Sequence, residues 1–271
     1  MTTRIASRFA FELHQPASVL LQFEAADIPE QRLINVSCRI SPDDDLARVP
    51  AQDMIGERIW LHADARVEVE YEAEVEINRV LHDLTDLAAL APHKLPGDAV
   101  KFLLDSRYCH ASEFLAFTQT EFEGTAGGAR IEAIRQWVES HLEYRPGVSG
   151  PSTTATDTFH QGAGICRDYT HLVVTLARAS TIPARYVACY APGVDPQDFH
   201  AVAEVFLADP AKPGGGTWQL VDATGMAELD KAVKIGVGRD AADVSFATSF
   251  APMQFDFSTV EVSTREREIA G

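Results

Sequence analysis

Basic side chains are scarce in this chain. Its 271 residues carry 23 Lys and Arg against 40 Asp and Glu, a formal charge of −17. Gripping a nucleic-acid backbone or an anionic membrane needs clustered Lys and Arg, so neither partner is expected. Paired cysteines are missing too. Cys38, Cys109, Cys166 and Cys189 are scattered with no CxxC, which argues against a disulfide framework and leaves three of them as small buried hydrophobes. No apolar run approaches bilayer length, Val19-Leu20-Leu21 being far too short. Met1 to Phe9 holds two arginines but no signal-peptide apolar core follows, which makes the cytoplasm the default compartment. Metal motifs are also lacking. Cys109-His110 has no second ligand pair at zinc spacing, and Asp43-Asp44-Asp45 lacks the spacing and closing glutamate of a calcium loop, so it reads as a solvated turn. No cofactor or metal is expected.

What is present suits a soluble globular protein: 46% of residues are apolar, enough for a sizeable core. The first half reads as β. Residues 6–12, 32–40, 58–62 and 66–77 alternate with period two, as in Val67-Glu68-Val69-Glu70-Tyr71-Glu72. Glu68, Glu70, Glu72 and Glu74 then form a solvated stripe over a small antiparallel sandwich. Short helices are expected over 97–104 and 112–118, and Gly124 to Gly128 as a flexible break. The expected division is a β-rich unit, 1–124, and a second unit, 125–271. In the latter, helices are predicted over 129–142 and 166–180, with β runs at 184–190, 200–207 and 217–224 and a last β region over 244–262.

One stretch stands out: Gly164-Ile165-Cys166-Arg167-Asp168-Tyr169-Thr170-His171. It puts a cysteine between a turn glycine and the first turn of an apolar-striped helix. There the unpaired N–H groups and the positive helix end favour a thiolate. Asp168 is expected to stabilise that first turn, Arg167 to pair with an acid, and His171 to bond a backbone carbonyl. Downstream come Asp198-Phe199-His200 and Leu220-Val221-Asp222. If the strands from His200 and to Asp222 pair through the Pro- and Gly-rich turn at 209–216, the two residues share a face. They then lie opposite or one diagonal step apart, roughly 5–8 Å by Cβ. A carboxylate at that range can accept an imidazole N–H. The set reads as a cysteine nucleophile, a histidine base and an orienting aspartate.

These residues resemble the transglutaminase-like cysteine-enzyme superfamily in its bacterial peptidase branch. The matching pieces are Gly164 to Leu172, Ile182-Pro183-Ala184-Arg185-Tyr186-Val187, Asp198-Phe199-His200-Ala201 and Trp218-x-Leu220-x-Asp222-x-Thr224. Gly238-Arg239-Asp240-Ala241-Ala242-Asp243-Val244 resembles a stretch common after that core. The resemblance implies an α+β, papain-like core, a nucleophile helix packed on an antiparallel sheet, preceded by the β-rich sandwich-like unit. It implies Cys166 as nucleophile, His200 as base and then acid, and Asp222 as orienting carboxylate. Val202 and Ala223 depart from the family's tryptophan and proline. The expected activity is hydrolysis of a peptide, protein or amide substrate through a Cys thioester. The alternatives are a protein-glutamine amine transferase and a non-catalytic binding or scaffold protein of the same fold. The backbone N–H of Cys166 is the expected first oxyanion donor, with the second sought between Trp137, Tyr144 and Gln161.

Overall fold

The structure, a computed structural model, describes residues 2–43 and 45–265; Met1, Asp44 and the expected end of the second unit, 266–271, lie outside the described residues. Six strands come first: β1 (Thr2–Leu13), β2 (Ala17–Leu21), β3 (Gln31–Ser41), β4 (Leu46–Pro50), β5 (Glu57–Ala63) and β6 (Arg66–Ile77). Alternation decides their faces. Along β6, Val67, Val69, Tyr71, Ala73 and Val75 are buried. Their glutamate neighbours point outward, where Glu70 takes Arg8 and Arg39 and Glu74 accepts from Asn35. A region of short turns comes next, with a one-turn helix α1 (Gly97–Val100), then α2 (Leu115–Glu121) and α3 (Gly127–His141). The expected break at Gly124 to Gly128 is instead half helix. Gly127 at φ +56° opens α3, where a Cβ would meet the Leu87 carbonyl oxygen at 2.6 Å.

The second half holds β7 (Glu143–Tyr144), α4 (Ala155–Gln161), β8 (Ala163–Gly164), α5 (Cys166–Ala179), β9 (Ala184–Tyr190), β10 (His200–Ala208), β11 (Gly216–Val221), β12 (Val233–Gly238), β13 (Ala247–Ser249) and β14 (Met253–Arg265). Strands β11, β10, β9 and β12 form one antiparallel sheet in that order. Helix α5 packs on it and is buried from Asp168 to Ala179. A helix wrapped on all sides needs apolar neighbours all round. Ala203, Val205 and Leu207 of β10 supply one side, and Ile131, Ile134 and Val138 of α3, with Phe114 and Ala155, supply the other. This is the expected α+β core, a helix carrying Cys166 on an antiparallel sheet.

The sandwich has two sheets, ordered β14-β1-β6-β3 and β13-β2-β5-β4. Phe9, Phe11, Val19, Leu21, Phe23, Ile59 and Tyr71 fill the space between them. Two of its strands come from the far end of the chain. β14 pairs with β1 from Thr2 opposite Arg265 to Leu13 opposite Met253, and β13 pairs with β2. By pairing, 247–249 and 253–265 therefore belong with the first unit, whereas the sequence division put them in the second. Leu87, Cys109, Phe114 and Phe122 move the other way and pack in the core around α5. The reason is physical: open sheet edges seek partners wherever the chain supplies them, and local alternation carries no address. No described helix is long and apolar enough to cross a membrane.

Candidate active site

Cys166 is the first residue of α5 and is half-buried. Its N-cap, Ile165, has no side-chain acceptor, so the cap is made in reverse. Asp168 Oδ2 accepts the Ile165 N–H at 2.9 Å and the Ser149 hydroxyl at 2.5 Å. Its Oδ1 accepts Arg167 Nη2 at 2.9 Å. The expectations for Asp168 and Arg167 thus meet in one cluster, which satisfies an orphan donor of the chain entering the helix and fixes the turn bearing the thiol. Gly164 makes room for it. A Cβ there would lie 2.6 Å from Asp168 Cβ.

His200 opens β10, and the β10–β11 register runs from Ala208 opposite Gly216 to Ala203 opposite Val221. Asp222 lies one residue beyond the last pair, which leaves it a diagonal step from His200. The side chains meet, with His200 Nε2 3.1 Å from Asp222 Oδ2. Since an ionised carboxylate can only accept, the ring proton sits on Nε2. Asp222 is itself held by three further donors. Oδ2 accepts the Ala227 N–H at 2.9 Å, while Oδ1 accepts the Thr224 N–H at 2.8 Å and the Thr224 hydroxyl at 2.7 Å. Burial works against its charge, yet these bonds and His200 hold its pKa below the ordinary carboxylate value.

The other ring nitrogen, His200 Nδ1, is buried and has no fully formed hydrogen bond among the described residues. Cys166 nevertheless acts on this ring. Burial disfavours the charged imidazolium, but the Asp222 bond, and then bonding and charge from Cys166, outweigh it and raise the pKa of His200 to about 9. The structure therefore brings the three sequence-predicted residues to one place: Cys166 and His200 line a common cavity, and Asp222 stands behind His200.

Other thiols differ in setting. Burial pushes Cys38 up to about 12 and Cys109 up to about 11, and raises Cys189 further. Cys109 and Cys189 are the buried hydrophobes expected, whereas Cys38 is only half-buried. Among the described residues no group of His, Cys, Asp and Glu could hold a metal ion.

Three features add to the sequence reading. Tyr144, inside the segment searched for a second oxyanion donor, borders Cys166; burial first, then the charge of Cys166, push its phenol up to about 12. His171 bonds no carbonyl. Its Nε2 accepts the Ala241 N–H at 3.1 Å, and its ring stacks on Tyr108 at 5.1 Å and leans on Tyr186 at 5.3 Å. Tyr108, Tyr186 and Ala241 all line the cavity. Finally, Val202, where the family carries tryptophan, is buried with Val187, Cys189 and Leu220 away from the cavity. The cavity's aromatic rings come from remote positions instead, among them Phe199, Phe246 and Phe255, which no local pattern signals.

Residues 113–223 match the family model of the transglutaminase-like superfamily core. That segment is similar to the transglutaminase-like core. Its fold is similar over nearly its whole length to the crystal structure of a "Putative Cysteine Protease" from Cytophaga hutchinsonii. That likeness has a TM-score of 0.89 at 28% identity and covers 99% of this chain and 92% of the other. Among curated relatives, an uncharacterized protein of Mycobacterium leprae (strain TN) is 32% identical over 119 residues, 42% of each chain. An uncharacterized protein of Mycobacterium tuberculosis (strain ATCC 25618 / H37Rv) is 30% identical over 146 residues, 49% of this chain and 46% of that one. The chain thus spans less than half the length of the curated relatives it matches. Both likenesses, to the transglutaminase-like core and to a protein named a cysteine protease, are to a family of thiol-dependent enzymes.

Proposed function

We propose that this transglutaminase-like chain hydrolyses a peptide or amide bond through a thioester on Cys166, with His200 and Asp222 completing a triad. The division of labour on the His200 ring carries the reading. Nε2 is committed to Asp222, so Nδ1 is the nitrogen left for Cys166. Its lone pair takes the thiol proton, and the sulfur attacks the carbonyl carbon. The helix-start N–H of Cys166 faces the oxyanion, with the Tyr144 hydroxyl as neighbouring donor; a phenol pushed up to about 12 keeps its proton at neutral pH. The imidazolium then gives its Nδ1 proton to the departing amine. Nδ1 next draws a proton from water, whose oxygen attacks the thioester and frees the acid. The unpaired thiols support a reducing, cytoplasmic setting, which cell fractionation would check.

The test is the rate of alkylation by iodoacetamide, read cysteine by cysteine by mass spectrometry. Cys166 should react far faster than Cys38, Cys109 and Cys189, and equal rates at pH 6 would sink the activated nucleophile. Repeating turnover of a peptide library with a primary amine present separates outcomes. Amine incorporation outpacing hydrolysis would replace hydrolysis by transfer.

A further inference from the structure

The cavity shared by Cys166 and His200 has a volume of about 370 Å³, and both halves of the chain build it. Tyr186 comes from β9, Ile235 from β12 and Phe255 from β14, while Phe199, Val244 and Phe246 come from connecting loops. Phe246 is the hub of the wall. Its ring centroid is 4.2 Å from that of Phe199 and 5.6 Å from that of Phe255, the latter stacked at 27°. Charge is nearly absent. Apart from His200, the lining's charged side chain is Arg167, whose guanidinium is spent on Asp168 and the Gly150 carbonyl. Even the free polar group is neutral. Gln22 gives its Oε1 to Arg58, which can only donate, so Nε2 is the end left over, buried and without a partner among the described residues.

An ionised side chain entering this space would shed its hydration with no counter-ion in return, whereas an apolar one would cover apolar wall. The volume sits at the small end for ligand cavities, room for one large side chain rather than an extended groove. We propose that the cavity receives the side chain on the acyl side of the scissile bond and selects a bulky, uncharged, apolar or aromatic one, with Phe246 and Phe255 as specificity-determining residues. This rests on the thioester reading of Cys166. It makes the sandwich, through Phe255, part of the substrate site.

The experiment uses the full chain and p-nitrophenyl esters of N-acetylated phenylalanine, leucine, aspartate and lysine, with p-nitrophenyl acetate as a probe that has no side chain. The phenylalanine and leucine esters should exceed the charged ones in kcat/KM by at least about tenfold. Phe255 is 39% exposed, so Phe255→Glu should fold, as a melting curve would verify. It should raise kcat/KM of the lysine ester relative to that of the phenylalanine ester by about tenfold. A flat order, or one favouring charge, overturns the proposal while the thioester chemistry stands. Absence of a Cys166-dependent burst from p-nitrophenyl acetate would instead sink the thioester reading. The pocket is then judged without chemistry, by NMR titration of Cys166→Ala with N-acetyl-phenylalanine amide and N-acetyl-aspartate amide. Tighter binding of the phenylalanine amide supports the proposal, and equal or reversed binding overturns it.

Discussion

Replacing Asp222 by Asn removes one charge and turns one acceptor into a donor, and the effect depends on the groups packed around it. Four donors converge on the native carboxylate: the Thr224 N–H and hydroxyl on Oδ1, and the Ala227 N–H and His200 on Oδ2. The Asn amide has two ways to sit there. With its oxygen toward Thr224, the NH₂ faces Ala227 and His200; the ring must then accept through Nε2 and carry its proton on Nδ1, so the base is lost. With its oxygen toward His200, the tautomer is kept, the Thr224 hydroxyl turns to accept, and the Thr224 N–H is left facing an NH₂. Each orientation strands one backbone donor, costing about 1–3 kcal/mol of stability. A melting temperature several degrees lower, with the fold intact, is expected. Rate suffers in both. Even in the better orientation a neutral partner no longer holds the imidazolium, and a drop of about two pKa units costs about 3 kcal/mol, or about a hundredfold. Adding the share of wrong tautomer carries the loss toward about 10⁴ in kcat, the magnitude of the equivalent change in a serine protease. Turnover of a fluorogenic peptide by native, Asp222→Asn, Cys166→Ala and doubly substituted protein makes the assay. The double variant should be no slower than Cys166→Ala alone. Near-native kcat in a folded Asp222→Asn would refute the role given to this carboxylate.

The same geometry sets three further outcomes. With the pKa of His200 raised to about 9 against burial by Asp222 and Cys166, its contribution to stability is complete below the unfolded value of about 6.5 and disappears as pH rises through about 9. An NMR titration should find the His200 pKa lower in Cys166→Ala, and an unchanged value would contradict the coupling. Tyr144→Phe should lower kcat by about 10²–10³-fold with little change in KM if the hydroxyl serves the oxyanion; a pure KM effect would assign it to substrate binding. His171 is held neutral, burial pushing it down to about 3, and accepts the Ala241 N–H that sets part of the cavity wall. His171→Phe should therefore raise KM more than it lowers kcat, and His171→Gln, which keeps an acceptor, should recover most of the loss.

Period-two alternation made β1 and β6 legible, and the helical stripe after Gly164 made α5 legible. The turn between β10 and β11 was short enough to fix their register, which is why the meeting of His200 and Asp222 could be anticipated. Glu204, two periods of alternation from His200 on the same strand, has a different part. It is buried between Arg185 and Lys234, which hold it as a carboxylate near a pKa of about 2 against the cost of burial, with no share in the cavity. Strand β12 was missed because it is buried on both faces and interrupted by glycine, so it neither alternates nor looks like a strand. At Gly236 a Cβ would lie 2.0 Å from Gln22 Nε2, so a larger residue there would have to turn the Gln22 side chain away. Helix α4 had a readable capping box, Thr154 with Asp157, but only 7 residues to follow it. The aromatic wall of the cavity was illegible in principle, since Phe199, Phe246 and Phe255 converge through packing between units.

The pairing of β1 with β14 has a consequence for how the molecule is made. Thr2 and Arg265 end as neighbours although 263 residues separate them. A ribosome delivers β1 long before β14, so the nascent chain exposes the unpaired edge of β1 while everything between is synthesised. Closing so large a loop is slow compared with local pairing. The helix bearing Cys166 and the sheet bearing His200 and Asp222 are complete before that closure. The strand carrying Phe255 arrives only with it. On the proposed reading, the nucleophile is in place before the wall that selects the side chain, and the cavity is finished only once β14 has paired.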